Sequence, residues 1–149
     1  LDVFASGGNE IVSAAKALKK KKLLGFLADQ DGYIHGLPVP FLGQPSSAVV
    51  GPATFAKKFG SPVVPIFASR KPEGGHIVHI LPPLHYNNSG DDDVDMYTLT
   101  EECVRVTEDF IREHPDEWIW FQHRWMTKMS EIVDYDKKLE IRERAHEKQ

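Results

Sequence analysis

Apolar residues at Ile11, Ala14, Ala15 and Leu18 recur at intervals of three, four and seven, the stripe of an amphipathic helix. Ser6 or Asn9 is placed to cap its start. Lys19 to Lys22 close it, where cations suit the negative end of the helix dipole. Leu23 to Ala28 is a continuous apolar run and reads as a buried strand, although periodicity alone leaves helix open. Residues 29–47 are rich in proline and glycine and read as a long ordered loop, a length that tends to be functional. Val49 to Phe59 predicts a second helix, stopped by Gly60 and Pro62, and Pro62 to Ser69 a second buried strand. Strand, helix and strand in that order suggest a right-handed parallel crossover. Lys71 to Gly75 is a turn, and His76 to Leu81 alternates as an edge or hairpin strand.

The polar stretch from Asn87 to Asp95 predicts a surface loop. Leu99, Cys103, Val106 and Phe110 share the face of a long helix that Thr98 or Thr100 would cap. Pro115 ends it and suits the first turn of another helix, with Asp116 and Glu117 near the positive dipole end. Trp118 to Trp125 is an aromatic cluster, with Trp118 and Ile119 expected in the core. Beyond Lys128 charge dominates. A peripheral helix docked by Ile132, Tyr135 and Leu139 is expected there, the alternative being a partly disordered tail. The fold class is α/β, with a mixed, partly parallel sheet flanked by helices. Residues 1–126 form the domain and residues 127–149 a charged helical tail.

Composition changes this picture little. The 149 residues are 41% hydrophobic and 27% charged, as in ordinary globular domains, and the net charge of −4 gives nucleic-acid binding no global support. Cys103 is the single cysteine, so no internal disulfide forms. It sits on the apolar helix face and is expected to be inert. No apolar run approaches the ~20 residues needed to span a bilayer, and no signal peptide is recognisable. The chain opens on Leu1 in helix-like sequence and is expected to be a piece of a longer protein, whose upstream part could hold a membrane anchor.

Several patterns that invite a site have simpler readings. His76 and His79 fall on opposite faces of a strand, which argues against a metal. Asp91 to Asp93 lack the glycine and distal glutamate of a calcium loop. Gly74 and Gly75 lack the following Lys-Ser/Thr of a phosphate loop.

Four stretches carry a resemblance. Gly25-Phe26-Leu27-Ala28-Asp29-Gln30-Asp31 ends on an Asp-Gln segment. Val39-Pro40-Phe41-Leu42-Gly43 follows, then Val63-Val64-Pro65 with Arg70 behind it. Last comes Pro115-Asp116-Glu117-Trp118-Ile119-Trp120, closed by His123-Arg124-Trp125. In this order and spacing they resemble the lipid A late acyltransferases, a branch of the lysophospholipid acyltransferase superfamily. The ending departs from the pattern: Gln122 stands at the usual histidine and His123 at the usual first arginine, while Arg124 and Trp125 match.

The resemblance implies the C-terminal portion of an acyltransferase α/β fold. It implies transfer of a fatty acyl group to a glycolipid hydroxyl from an acyl carrier protein or coenzyme A thioester, at a membrane surface on the cytoplasmic face of the bacterial inner membrane. No cofactor is implied. The superfamily's base is a histidine followed five residues later by Asp or Glu, because an alcohol needs a positioned imidazole to remove its proton and a carboxylate to orient that imidazole. The residues five after His35, His76, His79, His85, His114 and His123 are Pro40, Leu81, Leu84, Gly90, Ile119 and Lys128, and His146 lies too near the end. No catalytic residue is therefore assigned within the chain, which is expected to be inactive alone.

The candidate substrate-binding residues are Asp29, Gln30, Asp31, Arg70 and Arg124. The first three would orient an acceptor hydroxyl or sugar at a strand end, or else merely hold a turn. Arg70 would bind phosphate or an oxyanion, or else pair with Glu73 on the surface. Arg124 would contact phosphate. A non-catalytic lipid- or carrier-binding remnant, and an enzyme for other glycolipids or glycerophospholipids, remain as alternatives.

Overall fold

The computed structural model describes residues 10–85 and 88–147. The caps expected at Ser6 or Asn9 lie outside them. Among these residues four α-helices, α1 (Glu10–Lys19), α2 (Gly51–Phe59), α3 (Asp92–Glu113) and α4 (Tyr135–Glu147), combine with two small sheets. The first sheet pairs β1 (Leu37–Pro38) with β2 (Ser47–Ala48), and the second pairs β3 (Ile66–Arg70) with β4 (His76–Ile80). Among the described residues no helix is long and apolar enough to cross a membrane.

The architecture is mixed α/β, but both sheets are antiparallel, which corrects the expected parallel crossover. The reason is local. Only residues 71–75 separate β3 from β4, and the left-handed backbone of Gly74 and Gly75 closes the hairpin, so β3 finds its partner next door. Leu23 to Ala28 has no regular secondary structure and joins neither sheet, and it is not buried: Leu23 is 101% and Leu27 74% exposed. The second sheet has only two strands, so the outer edge of β3 stays open, and among the described residues the run pairs with neither sheet.

Helix α3 is the hub. It begins earlier than its apolar stripe predicts, because Asp91 caps it by accepting from the backbone N–H of Asp93 and Val94, each at 3.2 Å. The neighbouring aspartates occupy the first turn, where the dipole favours them. The predicted acidic loop is therefore largely a helix start. Val94, Tyr97, Val104 and Ile111 form one core cluster with Leu37, Val39, Phe41 and Ala48 from the loop and small sheet, and with Ile141 and Ala145 of α4. Ala53 and Ala56 of α2 pack with Leu99 in a second cluster. The β3–β4 hairpin lies against the far end of α3, where Phe67 stacks on Phe110 at 4.4 Å between ring centroids. His79, on the same face, hydrogen-bonds Ser69 at 2.8 Å, while His76 is exposed.

After α3 the chain makes turns from Pro115 to Trp125 and not the second helix expected there. Trp118 packs on the core beside Phe41, whereas Ile119 is exposed, contrary to expectation. Ile132 is buried and Tyr135 and Leu139 partly so, as predicted for a docked tail.

Candidate functional site

The long loop and the turns after α3 meet at Asp29 and Asp31. Asp29 is partly buried, and its Oδ2 accepts from Trp118 Nε1 at 3.1 Å and from Gln122 Nε2 at 3.2 Å. Asp29, Glu117 and Trp118 stand together in the wall of a cavity of about 500 Å³. Most of that wall is apolar, built from Leu24, Phe55, Val64, Phe67, Val106 and Phe110. The segment before Asp29, helix α2, strand β3 and helix α3 each supply one side. Cys103 also lines the cavity; burial, with Glu102 nearby, pushes its thiol up to about 11, so it is not a nucleophile at neutral pH.

Asp31 does something different. It is 5% exposed, and four donors occupy both its oxygens. The backbone N–H of Tyr33 (2.7 Å) and the Thr127 hydroxyl (2.6 Å) donate to Oδ1, and the backbone N–H groups of Met126 and Thr127 (each 3.0 Å) donate to Oδ2. Burial alone would raise its pKa, but the bonds from Thr127, Tyr33 and Met126 outweigh it and hold the carboxyl below the usual range. Asp31 thus clasps the C-terminal turns to the loop and has no lone pair left pointing at a substrate. Gly32 lets the loop close here: its N–H donates to Ser47 O at 2.9 Å, and a Cβ would collide with the Ala48 carbonyl. Gln30 is exposed between the two aspartates.

Arg124 cannot touch a lipid phosphate, because it is 1% exposed. One guanidinium nitrogen donates to Ser47 O at 2.8 Å, and the group lies 4.5 Å from the centre of the Phe41 ring. Its Nε and Nη2 make no hydrogen bond within the described chain. Burial lowers its pKa, with Asp31, Asp29 and Glu108 opposing that shift. A buried cation so incompletely paired is a weak contributor to stability. Arg124→Met, which keeps most of the volume, is expected to cost no more than ~1 kcal/mol, while Arg124→Ala should cost ~3 kcal/mol through the cavity it opens. Denaturant melts of the two variants check this; equal losses would mean that the charge itself holds the fold.

Arg70 pairs with Glu117 and not with Glu73. Its Nε reaches Glu117 Oε2 at 3.1 Å, its backbone N–H reaches Glu117 Oε1 at 3.0 Å, and Nη2 donates to Asp116 O at 3.0 Å. The pair is largely exposed on the arginine side, so its energetic worth is small. It does join the end of β3 to the residue before Trp118. Asp29 and Arg70 are therefore brought to one place through the neighbours Glu117 and Trp118, not through adjacent parallel strands. Sequence reasoning missed Trp118 and Gln122 as partners of Asp29. The available signal was that both fall inside the motif that carries the resemblance.

Residues 3–127 match the family described as bacterial lipid A biosynthesis acyltransferase. The chain belongs to that family. Two curated relatives are phosphatidylinositol mannoside acyltransferases of Mycobacterium tuberculosis. The protein of strain ATCC 25618 / H37Rv is 25% identical over 130 residues, covering 85% of this chain and 39% of the relative. That of strain CDC 1551 / Oshkosh is 25% identical over 114 residues, covering 76% and 34%. The chain thus spans well under half the length of either relative. All the candidate residues of this lipid A acyltransferase family member, from Asp29 to Arg124, lie within the matched span, whereas α4 lies beyond it.

Proposed function

We propose that this chain is part of an O-acyltransferase. It moves a fatty acyl chain from an acyl carrier protein or coenzyme A thioester to a hydroxyl of a lipid A-type glycolipid, at the cytoplasmic face of the bacterial inner membrane. The carrying observation is Asp29, fixed by Trp118 and Gln122 in the wall of an otherwise apolar cavity. The apolar walls suit an acyl chain, and Asp29 Oδ1 can accept a hydrogen bond from the attacked hydroxyl's sugar and orient it. Arg70, carried by the Glu117 pair, stands where it could move onto a phosphate or a developing oxyanion.

The general base in this reading comes from elsewhere in a longer polypeptide: none of the histidines from His35 to His123 has an acid five residues on, the spacing that the family resemblance implies. A second reading of the acceptor, a phosphatidylinositol mannoside-type glycolipid, draws support from the names of the two relatives.

The test incubates the 149-residue chain and the longer protein with acyl carrier protein and coenzyme A thioesters, and with each glycolipid in turn. The longer protein should transfer acyl groups to one acceptor and the chain alone to neither. Product from the chain alone would refute the external base. A longer protein that binds glycolipid or thioester but never transfers would establish the non-catalytic alternative.

A further inference from the structure

We propose that Glu108 is a positioning residue for acyl transfer: from α3 it pins the turn between Phe41 and Gln44, and through that turn it sets the two groups that hold Asp29. The inference rests on the reading of Asp29 as the group that orients the acceptor.

Phe41 and Gln44 exchange backbone hydrogen bonds, Phe41 N–H to Gln44 O at 2.9 Å and Gln44 N–H to Phe41 O at 3.1 Å. Leu42 and Gly43 between them have φ of 49° and 77°. Asn-Gly fills such a turn best, because a left-handed backbone crowds an ordinary side chain. Leucine at its first position is strained, so the turn needs a hold from outside. Glu108 supplies it. Its Oε1 accepts from the Leu42 N–H at 2.7 Å, and its Oε2 accepts from Arg112, one turn further along α3. The Glu108 side chain is 14% exposed, so this charge-assisted bond is largely shielded from water.

The turn in turn places Phe41, which is 1% exposed. Trp118 and Trp125 rest on its ring, with centroids 5.4 and 5.8 Å away, and the Arg124 guanidinium lies 4.5 Å from its centre. One arm of the hold on Asp29 is the Trp118 indole N–H. The other is Gln122, whose Nε2 donates to Asp29 and whose backbone carbonyl accepts from the Arg124 N–H at 2.9 Å. Both arms therefore run back to Phe41, and Glu108 is the side chain that ties Phe41's turn to α3. Its charge also favours the ionised form of Arg124. Phe41 and Arg124 are buried, and Asp29, Leu42, Glu108, Trp118 and Gln122 are half-buried.

Kinetics are read in the longer protein with acyl thioester and glycolipid, and NMR spectra in the 149-residue chain. Glu108→Ala should lower kcat roughly 10-fold or more with KM little changed, as expected when a reacting group is misplaced. Glu108→Gln keeps an oxygen for the Leu42 N–H and should restore most of the activity. Leu42→Asn, which relaxes the turn, should do the same in the Glu108→Ala background. In an Asp29→Ala background, Glu108→Ala should cost nothing further, because the two act in series. By NMR, Glu108→Ala should speed hydrogen exchange of the Trp118 indole N–H. That of Trp120, bonded to Pro115 O, should not change. Melting curves show which variants fold.

Unchanged Trp118 exchange in Glu108→Ala overturns the proposal. So does a Glu108→Gln as poor as Glu108→Ala, which would place the effect in the pairing with Arg112, and so does a loss that adds to that of Asp29→Ala. A Glu108→Ala that unfolds even with Leu42→Asn makes Glu108 a structural residue. The two readings fail differently. Normal turnover in Asp29→Ala sinks the role of Asp29 and the positioning role with it. Lost turnover in Asp29→Ala beside normal turnover in Glu108→Ala sinks the positioning role alone.

Discussion

Replacing Asp31 with alanine is expected to destabilise the fold by ~3–5 kcal/mol, the range for breaking a buried, hydrogen-bonded charge. The loss would strand the backbone N–H groups of Tyr33, Met126 and Thr127 and the Thr127 hydroxyl in a place where little water reaches. It would also leave Arg124 without the carboxylate that most opposes its desolvation. The same carboxylate sets a pH dependence. Its folded pKa lies below its unfolded one, so its stabilisation is complete above the ordinary carboxylate value near 4 and is lost as pH falls through the folded value. Asp95, buried and held by Lys57 and Ser89, is shifted in the same direction and adds to the effect. The wild type should therefore lose stability steeply in acid, and Asp31→Asn should start lower at neutral pH and lose less. Chemical melts at neutral and acidic pH check this. Parallel curves for the two proteins would show that Asp31 is not the titrating clasp.

The second large effect is expected in turnover. In the longer protein, Asp29→Ala should lower kcat and kcat/KM together by ~10²–10³-fold, the usual consequence of losing one polar interaction made mainly in the transition state. The melting temperature should change little, because Asp29 is only partly buried and opens no core cavity. Trp118→Phe keeps the ring that packs on Phe41 but removes the N–H that holds Asp29, so a smaller fall in kcat is expected. Arg70→Ala should fall between the two if the arginine serves only to hold Glu117, and should match Asp29→Ala if it also meets phosphate or oxyanion charge. Acyl-transfer kinetics beside thermal melts decide the matter: normal turnover in folded Asp29→Ala makes Asp29 a turn residue.

The sequence by itself determined the bodies of the four helices, though not the start of α3 or the turns after Pro115, and it determined the family. Periodic apolar residues, Gly60 after α2 and Pro115 after α3 act within a few residues of themselves, and four short motifs in order were enough to name relatives. It also pointed to Asp29, which lines the cavity, and to Arg70, which lies outside the lining but pairs with Glu117 in the same wall. Only the tertiary structure decided what each polar group does. Asp29 and Asp31 are two residues apart and look alike on paper, yet one lines a cavity and the other is enclosed by donors from residues 126 and 127. Arg124 has the chemistry of a phosphate ligand but lies beneath Phe41 and Ser47. The apolar run from Leu23 to Ala28 reads as a buried strand because hydrophobicity is a local property. Pairing is not: it needs a second strand set alongside by the fold, and among the described residues none is, so that run stays unpaired and largely exposed.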